Sequence, residues 1–190
     1  MLKKFFIALT ILFCVAGNNV EAANKFTDDQ LKQMISITRD NPAAVSMNLD
    51  VATFKTNFNA FMAKFLEETN AGEDIAQLKE IFLIGEQNTI TKNGKTLFLK
   101  DFHEDAAIFG SVDANGKFKV LNLFSTLAEN KNELLIRRLV FDAFVKGISP
   151  DVDTTALLKK SKENPTVTVG NVKFSFSTVD NLDMISVVAK

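Results

Sequence analysis

The chain has 190 residues, and its 22 basic and 23 acidic side chains leave a formal net charge of −1. So even a balance excludes partners held by bulk electrostatics, nucleic acid and anionic membrane surfaces among them, and only three of the cations are arginines, Arg39, Arg137 and Arg138. One cysteine, one histidine and 18 phenylalanines, with no tryptophan or tyrosine, leave little material for thiol or imidazole chemistry. They also point the aromatics toward a core, because the polar handle that places Tyr and Trp at binding surfaces is missing.

Residues 1–22 have the three-part layout of a secretory signal peptide: Lys3 and Lys4, an apolar run from Phe5 to Ala16 too short to span a bilayer, and small residues at Val20-Glu21-Ala22. The expectation is cleavage near Ala22 and export to the periplasm or medium, with no transmembrane segment in the mature chain. The composition, rich in Lys, Asn, Ile and Phe, reads as bacterial. Cys14 follows Ile11-Leu12-Phe13, and the bulky Phe is unlike the small residues of a lipid-attachment site. With the leader gone no cysteine remains, so stability must come from packing instead of disulfides.

Thr27 and Gln30 have the spacing of a capping box, with Phe26 and Leu31 as a hydrophobic staple, which predicts a helix from Thr27 to Asp40, stopped by Asn41-Pro42. Asp50 caps a second helix whose Phe54, Phe58, Phe61 and Phe65 recur at helical period as one core-facing stripe. A short third helix runs from Glu73 to about Ile81. Strands then follow at Asn88 to Thr91 and Thr96 to Phe102, joined by Lys92-Asn93-Gly94-Lys95, and at Ala107 to Val112 and Phe118 to Phe124, joined by Asp113-Ala114-Asn115-Gly116. Helix returns from Glu133 to Ile148 with Arg138, Asp142 and Lys146 on a charged outer face. Pro150 opens a further helix ending before Asn164-Pro165. Strands close the chain at Thr166 to Val169, Val172 to Val179 and Met184 to Ala189.

These elements define an α+β protein with helix-helix-antiparallel sheet arrangement in two parts, 23–128 and 129–190, forming one compact unit after the 1–22 leader. The parts share an element order. Phe58-Asn59-Ala60-Phe61 matches Phe141-Asp142-Ala143-Phe144, Thr89-Ile90-Thr91 matches Thr166-Val167-Thr168, and the second offset continues to Leu97 with Phe174, Leu99 with Phe176 and Ile108 with Ile185. The pattern reads as a duplication of αα-βββ(β) halves. The order resembles the tandem helix-loop-helix and antiparallel-sheet repeats of the β-lactamase inhibitory proteins, which are also secreted. The resemblance rests on element order and implies no site residue.

No catalytic, cofactor or metal residue emerges. His103, in Phe102-His103-Glu104-Asp105, reads as a turn residue, and without a second His or a Cys any metal would have only carboxylates to bind. Gly94-Lys95-Thr96 lacks the upstream glycine and the following helix of a phosphate loop. Asp113-Ala114-Asn115-Gly116 lacks the closing Glu of a calcium loop, which would fall at Phe124. Asp151/Asp153 and Asp180/Asp183 sit at helix starts or turns, where carboxylates cap backbone donors. The expected function is therefore non-enzymatic: an exported binding or inhibitor-like module acting on a protein partner or on a small apolar ligand between helices and sheet. Strand addition at Met184 to Ala189 or Phe118 to Phe124 is the expected route to a protein partner. A carboxylate-dependent hydrolase and a structural or stress component of the envelope are the alternatives. No nucleic acid or cofactor is expected, and oligomeric state is left open.

Overall fold

The computed structural model describes residues 26–40, 42–68, 75–102, 106–126, 130–179 and 182–190. The leader over 1–22, His103 and Asp180 lie outside the described residues. Seven strands form a single antiparallel sheet: β1 (Thr89–Lys92), β2 (Lys95–Asp101), β3 (Ala106–Val112), β4 (Phe118–Thr126), β5 (Thr166–Val169), β6 (Val172–Val179) and β7 (Leu182–Ala189), in the order β1-β2-β3-β4-β7-β6-β5. The described helices are α1 (Asp28–Asp40), α2 (Val51–Glu68), α3 (Ile75–Phe82), α4 (Lys131–Ile148) and α5 (Thr154–Glu163). The chain is α+β.

Local chemistry sets the ends of these elements. At α1, the Thr27 amide donates to Gln30 Oε1 at 2.9 Å and the Gln30 amide to Thr27 Oγ1 at 3.2 Å, a completed capping box. Asp50 accepts from the Thr53 amide at 2.7 Å to start α2. Asn93 and Gly94 both take positive φ, 53° and 72°, as a two-residue hairpin between β1 and β2 requires. Pro150 departs from expectation: it lies in a turn, and α5 begins at Thr154 because the Asp153 carboxylate accepts from the amides of Thr155 and Ala156 at 2.9 and 3.0 Å.

Alternation along the strands divides the apolar residues between two faces. Ala106 and Ile108 of β3 and Leu121 and Leu123 of β4 join the main core with α2, α3, α4 and α5, while Ala107, Phe109 and Phe124 face α1 on the opposite side. Between α1 and α2 the chain rounds the end of the sheet beside the β3–β4 turn, held there by Met47 N to Phe118 O, Phe118 N to Leu49 O and Ser46 Oγ to Asp113 Oδ2, at 2.7, 3.0 and 2.6 Å.

The centre of the main core is Phe54. Its ring lies 5.7 to 6.2 Å from those of Phe58, Phe98, Phe118 and Phe144, so one side chain of α2 meets α4 and two strands. Gly147 makes the approach of α4 feasible, because a Cβ there would lie 2.6 Å from the Phe54 ring. Only part of the expected stripe is deep: Phe54, Phe58, Met62 and Leu66 are fully buried, whereas Phe61 and Phe65 are half-buried on the flank. Spacing by four follows the line of contact with the sheet and α4 better than the mixed spacing of the phenylalanines.

One expectation is corrected by the strand order, and another gains no confirmation. Both strands expected to offer an edge, β4 and β7, are interior and pair with each other; among the described residues the outermost strands are β1 and β5. The duplication is not established. Thr89 pairs with Phe98 as Thr166 pairs with Ser175, so the matched segments do hold matching hairpin positions. Yet Ile90 is 61% exposed while its counterpart Val167 is in the main core. Leu99 faces α1 while Phe176 faces the helices opposite, and the register sets Ile185 in the place of Phe109, not Ile108. The matched Ile90/Val167 and Leu99/Phe176 thus point to opposite faces, and α2 and α4 share one face.

Phe54→Ala is expected to cost about 3–5 kcal/mol in denaturant unfolding. Gly147→Ala is the sharper check: helix propensity alone favours alanine by about 1 kcal/mol, so a net loss, expected on the order of 2 kcal/mol, reports the contact with Phe54. Acid dependence is a second expectation. Backbone donors, first that of Thr53, hold Asp50 below its ordinary 3.8, and the Ser46 hydroxyl with the amides of Lys117 and Asn115 does the same for Asp113. A lowered folded-state pKa gives stability that is complete above 3.8 and lost as pH falls through the folded value. The urea midpoint should therefore drop between pH 6 and pH 3, and drop less in Asp50→Asn/Asp113→Asn.

Candidate ligand-binding cleft

A cleft of about 630 Å³ opens between the sheet and the helix pair α4–α5. Its floor is two rows of side chains fixed by strand register. Ala106, Ser125, Asp183 and Thr178 align across β3, β4, β7 and β6, and two residues deeper Leu123, Ile185 and Phe176 align in the same way. The outer row is mostly polar and the inner row is apolar. Phe141 of α4 closes the inner end against Phe176, ring centres 6.5 Å apart, and Leu158 of α5 and Pro165 complete the apolar lining. Leu134, 60% exposed on the first turns of α4, stands at the rim.

Adjacent arginines on α4 carry the polar wall. Asn130 caps the helix by accepting from the Glu133 amide at 3.0 Å. Glu133 then lies 3.5 Å from Arg137, whose Nη2 donates to Thr126 Oγ1 at 2.9 Å, so the start of α4 is tied to the end of β4. These two side chains are only 10% and 12% exposed. Arg138 instead donates from Nε to both Asp142 oxygens at 2.9 and 3.1 Å and from Nη2 to Thr155 Oγ1 at 3.0 Å, which ties α4 to the first turn of α5. The expected Arg138–Asp142 pair is formed, but instead of an outer face it sits against α5 and the cleft. Lys146 stands apart from it, donating to the Pro150 carbonyl at 2.7 Å.

Within the floor, Thr178 donates to Asp183 at 3.0 Å. Among the described residues, the carboxylates with resolved shifts are all displaced downward. Asp40 is held low by Arg39, Asp50 by backbone donors, Glu86 by Lys55 and Asp113 by Ser46, and none of them lines the cleft. Lys100 is the one cation pushed down, by burial, while its Nζ donates to the Ile81 carbonyl at 2.7 Å beside the Phe102 ring. It supports the end of α3, away from the cleft. No group of three or more His, Cys, Asp or Glu side chains is placed to hold a metal ion among the described residues.

Of the carboxylates noted in the sequence that fall among the described residues, Asp153 caps α5, Asp151 stands exposed in the preceding turn, and Asp183 reaches the cleft. Ser125, Thr178 and Arg137 were not legible as site residues, because only strand register and the α4–β4 contact bring them together. A second concavity of about 640 Å³, between α2 and the C-terminal end of α4, is lined by Phe61, Phe65, Lys64 and Lys146. It is a groove along helix surfaces with no sheet floor.

Comparisons with protein-family models, curated proteins and solved structures each return no significant match. The likeness to β-lactamase inhibitory proteins therefore goes no further than element order.

The two arginine pairs should differ in weight. Arg137→Ala removes the ion-pair partner of the mostly buried Glu133, which keeps its hydrogen bond from Asn130 Nδ2 at 2.8 Å, and is expected to cost about 2 kcal/mol. Arg138→Ala breaks a more exposed pair and is expected to cost less than about 1 kcal/mol. Denaturant midpoints of the two variants provide the comparison.

Proposed function

We propose that the protein is an exported, non-enzymatic binding module that holds a small, predominantly apolar molecule in the cleft between α4–α5 and the sheet. The observation that carries the reading is the inner row of Leu123, Ile185 and Phe176, roofed by Phe141 and left open to a volume of about 630 Å³ beneath a hydrogen-bonding rim. Ligand sites of this kind measure roughly 300–1,000 Å³ and combine apolar walls with a few convergent polar groups. Apolar side chains in a well-packed protein normally meet one another, so an unfilled volume against them favours an apolar guest. Export rests on the leader-like pattern of residues 1–22. No described helix is long and apolar enough to cross a membrane.

The absence of tryptophan from the chain supplies the test. Leu134→Trp places a single indole at the rim. Titration with 1-decanol should shift its emission saturably to the blue. Adding Ser125→Phe to fill the mouth should weaken binding about tenfold or more, a change of about 1.4 kcal/mol. An unshifted spectrum, or equal affinity with the mouth filled, would remove the reading.

A further inference from the structure

Among the described residues lining the cleft, one charge is left without an opposite partner. Arg137 is paired with Glu133 and Arg138 with Asp142. Asp183, in the outer row, accepts from the Thr178 hydroxyl and has no ion pair among the described residues. The register fixes where that charge lies. Asp183 pairs with Ser125 on one side and Thr178 on the other, one row outside Ile185, so a guest with its apolar body on the inner row has its head beside a carboxylate and hydroxyls.

Resting on the apolar-ligand reading, we infer that the ligand is an amphiphile with a cationic, hydrogen-bond-donating head group, an alkyl or aryl amine, oriented head outward toward Asp183. A carboxylate head is disfavoured: the two guanidinium groups that could attract it are already neutralised by acids on their own helix, and Asp183 repels it. A hydroxyl head is accommodated without Coulombic gain. The attraction operates at the rim, where solvent screens it, so the expected preference is modest, roughly fivefold for an amine over an alcohol of the same chain.

Isothermal titration of the full chain at pH 7 with decylamine, 1-decanol and decanoate, each as free monomer, separates the possibilities. Expected is an order of decylamine, decanol, decanoate. Asp183→Asn should reduce decylamine to the affinity of decanol, and Asp183→Glu should retain the preference. Equal affinities, tightest binding of decanoate, or a preference for amine that survives Asp183→Asn would overturn the head-group inference while leaving the apolar site in place. Failure of all three probes to bind would overturn the apolar-ligand reading itself.

Discussion

The structure depends on one side chain meeting four others. Phe54 leaves α2 and packs by tilted and edge contacts against Phe58 of its own helix, Phe144 of α4, Phe98 of β2 and Phe118 of β4. Such aromatic contacts add about 0.5–1.5 kcal/mol each beyond the apolar area they bury. More important is what they fix. With Gly147 against its ring, Phe54 sets how close α4 comes to α2, and the sheet completes the junction. A glycine in β3 does similar work: a Cβ on Gly110 would lie 2.6 Å from the Phe118 ring. Phenylalanine without Tyr or Trp suits such a centre, since none of these rings brings a polar atom that needs a partner.

Helix α4 packs into the core along its length, and the cleft lies beside its N-terminal half. Gly147 and Phe144 hold the C-terminal half of the helix on Phe54, and its N-terminal half seats Ile136, Leu139 and Val140 in the core and adds polar ties, Arg137 to Thr126 and Arg138 to Thr155. Between the ties and the sheet lies the cleft. Its floor residues alternate with those that seat α1: Asp183 and Ile185 face the cleft while Leu182 and Met184 pack with α1, and Leu123 faces the cleft while Phe124 packs with Phe109 beneath α1. The same strand ends therefore serve both faces.

Much of the fold was legible in the chain. The Thr27/Gln30 box, the Asp50 cap, Asn93-Gly94 and the alternating strands are local signals, and each produced the expected element near its expected limits. What the sequence did not carry was non-local. Strand order turned β4 and β7 from expected edges into the middle of the sheet. The hairpin matches of the apparent repeat hold in register but not in face, a distinction that depends on which side the helices cover. The cleft was anticipated only as a space between helices and sheet. Its polar row needs four strands in register, and Arg137 becomes part of it only where α4 meets Thr126.

The most direct measurement of the ligand-binding account is a residue-resolved map of contact. Amide shifts of labelled protein followed during titration with decylamine should be confined to the inner and outer rows of β4, β6 and β7 and to the facing turns of α4 and α5, with Leu123, Phe176 and Ile185 moving most. Shifts centred instead on Phe61 and Phe65 in the α2–α4 groove, or no saturable shifts at all, would contradict it.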